Sequence, residues 1–214
     1  MENAVISAIE KNKVIVIVRG VERAKLIPLC EAMYEGGIRL VECTYDASGK
    51  TSDEETAANI EMLARHFTGR MHVGAGTVLT KKQVALTKEA GGVFIISPDT
   101  DEEVIRATKA AGLVSIPGAI TPTEIKAAHK AGADLIKLFP VDIYGPRYVK
   151  TLKAPLSNIR MLAVNGITAE NMGEYLAAGA CGVGVGSGIV KGQLVTAGDF
   201  AAITALARQY TKDF

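Results

Sequence analysis

The chain has 214 residues, 48% of them hydrophobic, with 24 basic and 23 acidic side chains and a formal net charge of +1. That balance gives no field of either sign, and without a basic run it argues against a nucleic-acid or anionic-membrane partner. Three dispersed cysteines, Cys30, Cys43 and Cys181, have an odd count and no metal-ligand spacing, which fits a reducing cytoplasm with no disulfide framework and no metal site.

In chain order, Met1-Glu2-Asn3 is not a basic leader, and a short helix is expected over 3–11. Apolar strands are expected over 14–18, 38–44, 72–75, 93–96, 113–116, 134–139, 160–164 and 182–185. Helical stretches fall at 23–35, 53–66 with Ser52 or Asp53 as its N-cap, 81–90, 101–111, 122–131, 146–153, 169–178 and 199–209. Several helices run into glycine, as at Glu35-Gly36-Gly37, Ala131-Gly132 and Ala178-Gly179, where a left-handed residue turns the chain back into the next strand. The uncharged stretch 175–190 is glycine-rich and shorter than the ~18 residues a membrane helix requires. Eight βα alternations with a leading helix and no linker predict one domain over 1–214. Near-continuous apolar strands predict a parallel sheet covered on its outer face, and eight of them predict a single (β/α)8 TIM barrel. The rival, an open doubly wound sheet, lacks its glycine fingerprint: the turn after the first strand is Arg19-Gly20-Val21-Glu22.

On a barrel, polar residues at the C-terminal strand ends line the active site. The sixth strand carries Lys137, on the same face as Leu135 and Phe139, while Ile136 and Leu138 point the other way. Desolvation there pushes a lysine towards its neutral, nucleophilic amine; the competing reading is a buried stem whose head reaches solvent. The second strand puts Leu40, Glu42 and Thr44 on one face and Val41 and Cys43 on the other. A lysine and a carboxylate in one barrel interior suit Schiff-base chemistry, with an amine to attack a ketone and an acid/base to move protons. Alternatively, Glu42 and Lys137 form a structural ion pair, although burial makes such pairs poor sources of stability. The glycine-rich turns Asn165-Gly166-Ile167-Thr168 and Gly184-Val185-Gly186-Ser187-Gly188 can face one anion with backbone N–H groups. His66, His72 and His129 lie away from the strand C-termini and are ordinary surface histidines on this reading.

Glu42-Cys43-Thr44, Gly74-Ala75-Gly76-Thr77, Ile96-Ser97-Pro98, Ile116-Pro117-Gly118 before Thr121-Pro122-Thr123-Glu124, Lys137-Leu138-Phe139-Pro140 and Gly184-Val185-Gly186-Ser187 occur in this order. The ordered set spans essentially the whole chain and resembles the KDPG/KHG aldolase family. Its members are class I enzymes that cleave 2-keto-3-deoxy-6-phosphogluconate or 4-hydroxy-2-oxoglutarate to pyruvate and an aldehyde. The resemblance implies that Lys137 is the Schiff-base lysine and Glu42 the general acid/base. It also implies that Thr77 and the backbone near Pro98 hold the pyruvate carboxylate. Thr44 and Phe139, in the same motifs, and Asn165, Gly166, Gly186 and Ser187, at the last two strand ends, complete the candidate binding set. A homotrimer acting on a small keto acid, with no metal or organic cofactor and no nucleic-acid or membrane partner, is likewise implied.

Two positions depart from the family pattern. Some members carry an arginine for the substrate carboxylate two residues beyond the second-strand threonine, where this chain has Asp46; Arg19 is then the local cation for that role. Where phosphate-cleaving members read Pro-Thr-Gly-Gly-Ile, this chain reads Ala163-Val164-Asn165-Gly166-Ile167, which opens the question of whether its substrate is phosphorylated. Two other functions fit the same residues: a phosphate-binding isomerase or epimerase without covalent catalysis, and a non-catalytic oligomeric barrel.

Overall fold

The computed structural model describes residues 3–214; Met1 and Glu2, which with Asn3 do not form a basic leader in the sequence, lie outside the described residues. Asn3 caps α1 (Ala4–Asn12) by accepting the Val5 N–H, and Lys13 alone links that helix to β1 (Val14–Val18). There follow α2 (Arg23–Glu35), β2 (Leu40–Thr44), α3 (Asp53–His66), β3 (His72–Gly76), α4 (Lys81–Glu89), β4 (Phe94–Ile96) and α5 (Glu102–Ala110). The chain continues through β5 (Val114–Ile116), β6 (Gly118–Ala119), α6 (Pro122–Ala131), β7 (Ile136–Leu138), α7 (Gly145–Lys153) and β8 (Met161–Val164). It ends with α8 (Met172–Ala177), β9 (Gly182–Val185), α9 (Gly192–Ala197) and α10 (Phe200–Thr211). Local signals set the helix starts: Ser52 accepts the Glu55 N–H, and Thr121 with Glu124 forms a reciprocal capping box. At the other ends, Gly132 (φ 112) and Gly179 (φ 108) take up the left-handed turn expected of them.

All pairings are parallel, in the order β5-β4-β3-β2-β1-β9-β8-β7-β6. Nine segments appear where eight strands are expected, because Pro117 splits the fifth. Proline has no N–H to continue a ladder, so β5 pairs with β4 and β6 with β7. The barrel closes across this break: Lys137 N–H donates to the Pro117 carbonyl at 2.9 Å, and the Asp134 N–H donates to the Ser115 carbonyl at 3.0 Å. The structure is thus a (β/α)8 TIM-type barrel.

Two other elements differ from the sequence reading. Helix α8 begins at Met172 rather than 169, because Thr168 and Asn171 exchange side-chain-to-backbone hydrogen bonds (2.9 and 3.3 Å) that hold 168–171 as a turn. Helix α9 is not anticipated; its six residues, Gly-Gln-Leu-Val-Thr-Ala, are too few and too mixed to show a period.

Burial on both strand faces explains the continuous apolar runs. Outward residues such as Val16, Val41, Cys43, Ile136 and Leu138 join the helices in the larger core. Inward residues Ile15, Leu40, Phe94, Val114, Leu135 and Leu162 pack with Val5, Ile6 and Ile9 of α1. Because α1 feeds β1 through one residue, it stoppers the barrel at the N-terminal ends of the strands and leaves the opposite mouth open.

Candidate active site

Lys137 sits mid-strand in β7, with its neighbours Ile136 and Leu138 in the outer core and Leu135 in the inner one. Its side chain therefore enters the barrel, where it is only 7% exposed. Nζ lies 4.6 Å from the centre of the Phe139 ring. Burial lowers its pKa, the Glu42 carboxylate opposes that shift, and the Arg19 charge adds to it. This decides between the two sequence readings: the amine is enclosed rather than carried to solvent.

Glu42, 2% exposed, reaches the same interior from β2. The neighbouring strand makes room for it: a Cβ on Gly76 would collide with Glu42 Oε1. Burial raises its pKa to about 6, against the pull of Lys137 and then Arg19. Oε2 is buried without a hydrogen-bond partner, and no Glu42–Lys137 ion pair forms within 4.0 Å among the described residues. A close ion pair locking the barrel is therefore not what the geometry contains. A buried carboxylate oxygen with no partner from the protein is costly unless a ligand or water meets it.

Glu42 and Lys137 open onto a cavity of about 760 Å³ at the C-terminal ends of the strands. Of the residues expected from the sequence, Arg19, Thr77, Pro98, Phe139, Asn165, Gly166, Gly186 and Ser187 line it as well. Thr77 holds φ 55, a rare conformation for a β-branched residue, and its hydroxyl accepts from Arg19 Nη2 at 3.1 Å. That contact ties Arg19, the only arginine on the cavity wall among the described residues, to the turn after β3. Thr44 is not on this wall: its hydroxyl donates to the Val18 carbonyl at 3.4 Å, and it lines a neighbouring cavity of about 480 Å³. Asp46 lies on that second cavity too. Its carboxylate accepts from the Ser48 N–H (2.9 Å), the Ser48 hydroxyl (2.7 Å) and the Thr51 N–H (3.0 Å), which hold its pKa down at about 2. Asp46 thus ties its own loop rather than facing the main cavity, where the arginine of other members would meet the substrate carboxylate.

Another part of the wall is the turn after β8. Asn165 holds φ 89 and Gly166 φ 68, and Asn165 Nδ2 donates to Asp142 Oδ1 at 2.6 Å. Sequence reasoning missed Gly76 as the seat of Glu42 and Asp142 as the partner of Asn165. The Gly74-x-Gly76 spacing beside a glutamate strand carried a signal for the first; nothing local marked the second. Among the described residues no three His, Cys, Asp or Glu side chains gather as metal ligands, and no helix is long and apolar enough to cross a membrane.

The family model for KDPG and KHG aldolase matches residues 5–206. The chain is 34% identical over 203 residues to the 2-dehydro-3-deoxy-6-phosphogalactonate aldolase of Escherichia coli, covering 93% of this chain and 96% of that one. It is 32% identical over 209 residues to the 2-dehydro-3-deoxy-phosphogluconate aldolase of Treponema pallidum, covering 96% and 95%. Among solved structures it superposes with a TM-score of 0.87 and 26% identity on the KDPG aldolase of Legionella pneumophila, in which pyruvate was captured as a covalent carbinolamine; 99% of this chain and 100% of that one are covered. With a match over nearly its whole length and relatives above 30% identity, the chain belongs to the KDPG and KHG aldolase family and is a carbon–carbon lyase of the class I aldolase type.

Proposed function

We propose that this enzyme cleaves a 4-hydroxy-2-keto acid to pyruvate and an aldehyde through a Schiff base on Lys137, with Glu42 moving the protons. One observation supports this above all: an enclosed lysine and a buried carboxylate with a partnerless oxygen share one cavity. The Lys137 amine adds to the keto carbon, and loss of water from the carbinolamine leaves an iminium. Glu42 takes the proton of the hydroxyl on carbon four, the bond between carbons three and four breaks, and its electron pair enters the iminium to form an enamine. The aldehyde departs, the enamine is protonated on carbon three, and water releases pyruvate and the free amine. Arg19 and Thr77 are suited to the keto-acid carboxylate, since a guanidinium and a hydroxyl meet on that wall. Pro98, Phe139, Asn165, Gly166, Gly186 and Ser187 complete the lining around it. Family membership further suggests a cytoplasmic homotrimer, which sedimentation equilibrium and cell fractionation would measure.

The test is borohydride trapping with pyruvate, read by intact mass and peptide mapping. The adduct is expected on Lys137, and Lys137→Arg is expected to lose both adduct and turnover. Labelling of another lysine would move the Schiff base off Lys137, whereas no adduct on any lysine with turnover retained in the arginine variant would favour a barrel that works by proton transfer alone.

A further inference from the structure

The cavity wall formed by the turn after β8, the strand next to that of Lys137, is backed by a carboxylate. Asn165 has a positive φ of 89, a region in which asparagine is enriched among residues with side chains. Its side chain is fixed by Asp142, through the 2.6 Å hydrogen bond from Asn165 Nδ2 to Oδ1. Gly166 packs directly on the same residue: Asp142 Cβ stands where a Gly166 Cβ would go, and Oδ2 lies 3.3 Å from that point. Both partners are anchored. The Val141 N–H donates to the Val164 carbonyl at 3.1 Å, the Gly145 N–H donates to the Val141 carbonyl at 3.0 Å, and Asn171 Nδ2 donates to the Gly166 carbonyl at 2.9 Å.

The charge of Asp142 is not cancelled. It forms no ion pair among the described residues. The cationic side chains that line the cavity, Arg19 and Lys137, both act on Glu42, at the reacting end. The exposed Asp142 carboxylate therefore stands beside the Gly166 turn, which would otherwise suit a dianion.

We infer that Asp142, held by Asn165, is a specificity-determining residue that disfavours a phosphorylated distal end and favours an uncharged, hydroxyl-bearing one. The inference rests on the aldol reading above and supplies its substrate class: a 4-hydroxy-2-keto acid whose far carbons carry neutral hydroxyls. A phosphate on the Gly166 turn meets like charge, whereas a hydroxyl can donate to Oδ2, which accepts no hydrogen bond from the described residues. Discrimination arises from a repulsive element as much as from a new contact.

The test runs in the synthetic direction with pyruvate, comparing D-glyceraldehyde with its 3-phosphate, and records pyruvate trapping in every protein. Wild type is expected to show a higher kcat/KM for the unphosphorylated aldehyde. Asp142→Asn, which keeps an acceptor for Asn165 but removes the charge, is expected to move the ratio towards phosphate by about ten-fold or more. A wild-type preference for the phosphorylated aldehyde overturns the inference, as does an unchanged ratio in Asp142→Asn. Should that variant not fold, Asp142→Ser removes the same charge, and the wild-type ratio stands as a test without either. Failure of wild type to trap pyruvate would instead overturn the Schiff-base reading, so the two failures are distinguishable.

Discussion

Glu42 is the residue whose protonation matters most to both stability and turnover. Its pKa is raised from 4.5 to about 6 in the folded protein, so between those values the folded state binds more protons than the unfolded one. Stability contributed by this group is therefore lost as pH rises through that window, and the deficit of about 2 kcal/mol is complete above pH 6. Glu42→Gln should flatten that part of the profile: the gap between wild-type and variant unfolding free energies, from urea titrations at pH 4 and pH 7.5, should change by roughly that amount. In the same variant kcat should fall by about 10²–10⁴-fold, with exchange of the pyruvate methyl protons slowed in parallel. An acidic limb near pH 6 in the wild-type kcat/KM profile should disappear from whatever activity remains. Equal pH slopes in the two proteins would show that Glu42 is more hydrated than its burial implies.

Between elements, the catalytic geometry depends on β3 presenting no side chain to β2. Glu42 pairs in register with Gly74 and Thr44 with Gly76. Gly74 leaves space for the Phe94 ring, and Gly76 leaves space for the Glu42 carboxylate. Gly76→Ala would force that carboxylate to move, and a displacement of about 1 Å at a reacting group can cost on the order of 10²-fold in rate. The expected outcome is a folded protein with circular dichroism like wild type, pyruvate trapping still on Lys137 and kcat lowered about 100-fold. Loss of trapping together with kcat would place the damage at Lys137 and not at Glu42.

At the scale of the whole molecule, the barrel separates a stability end from a reacting end. Helix α1 fills the N-terminal mouth with Val5, Ile6 and Ile9, and Ile9 is fully buried. Ile9→Ala should cost about 2–5 kcal/mol, the range for truncating a buried isoleucine where the site cannot collapse. Chemical denaturation measures that loss, while kcat and the site of pyruvate trapping should stay unchanged at a temperature where the variant is folded. A fall in kcat with little loss of stability would mean that the stopper and the active site are coupled through the inner core.

Repetition of strand, helix and glycine determined the barrel from the sequence alone, because each unit repeats a local signal and two-sided burial leaves a continuous apolar run. Alternation within β2 and β7 likewise grouped Glu42 with Leu40 and Lys137 with Leu135 on one face of each strand, and the packing of Leu40 and Leu135 in the inner core makes that face the inward one. Thr44 was assigned to the same site by that period, yet its hydroxyl turns to the Val18 carbonyl, a partner 26 residues away that no pattern in β2 specifies. The break at Pro117 was visible as a proline, but the exchange of partners from β4 to β7 depends on which strands lie on either side once the barrel closes. Asp46 and Asp142 show the limit most clearly. Both are acidic residues in loops after strands, alike in the sequence, and only the folded loops decide that Asp46 is bound by its own backbone while Asp142 is brought against Asn165, 23 positions along the chain. Local periodicity is written residue by residue, whereas the neighbours of a loop carboxylate are set by how separate elements pack, and that is information only the tertiary structure contains.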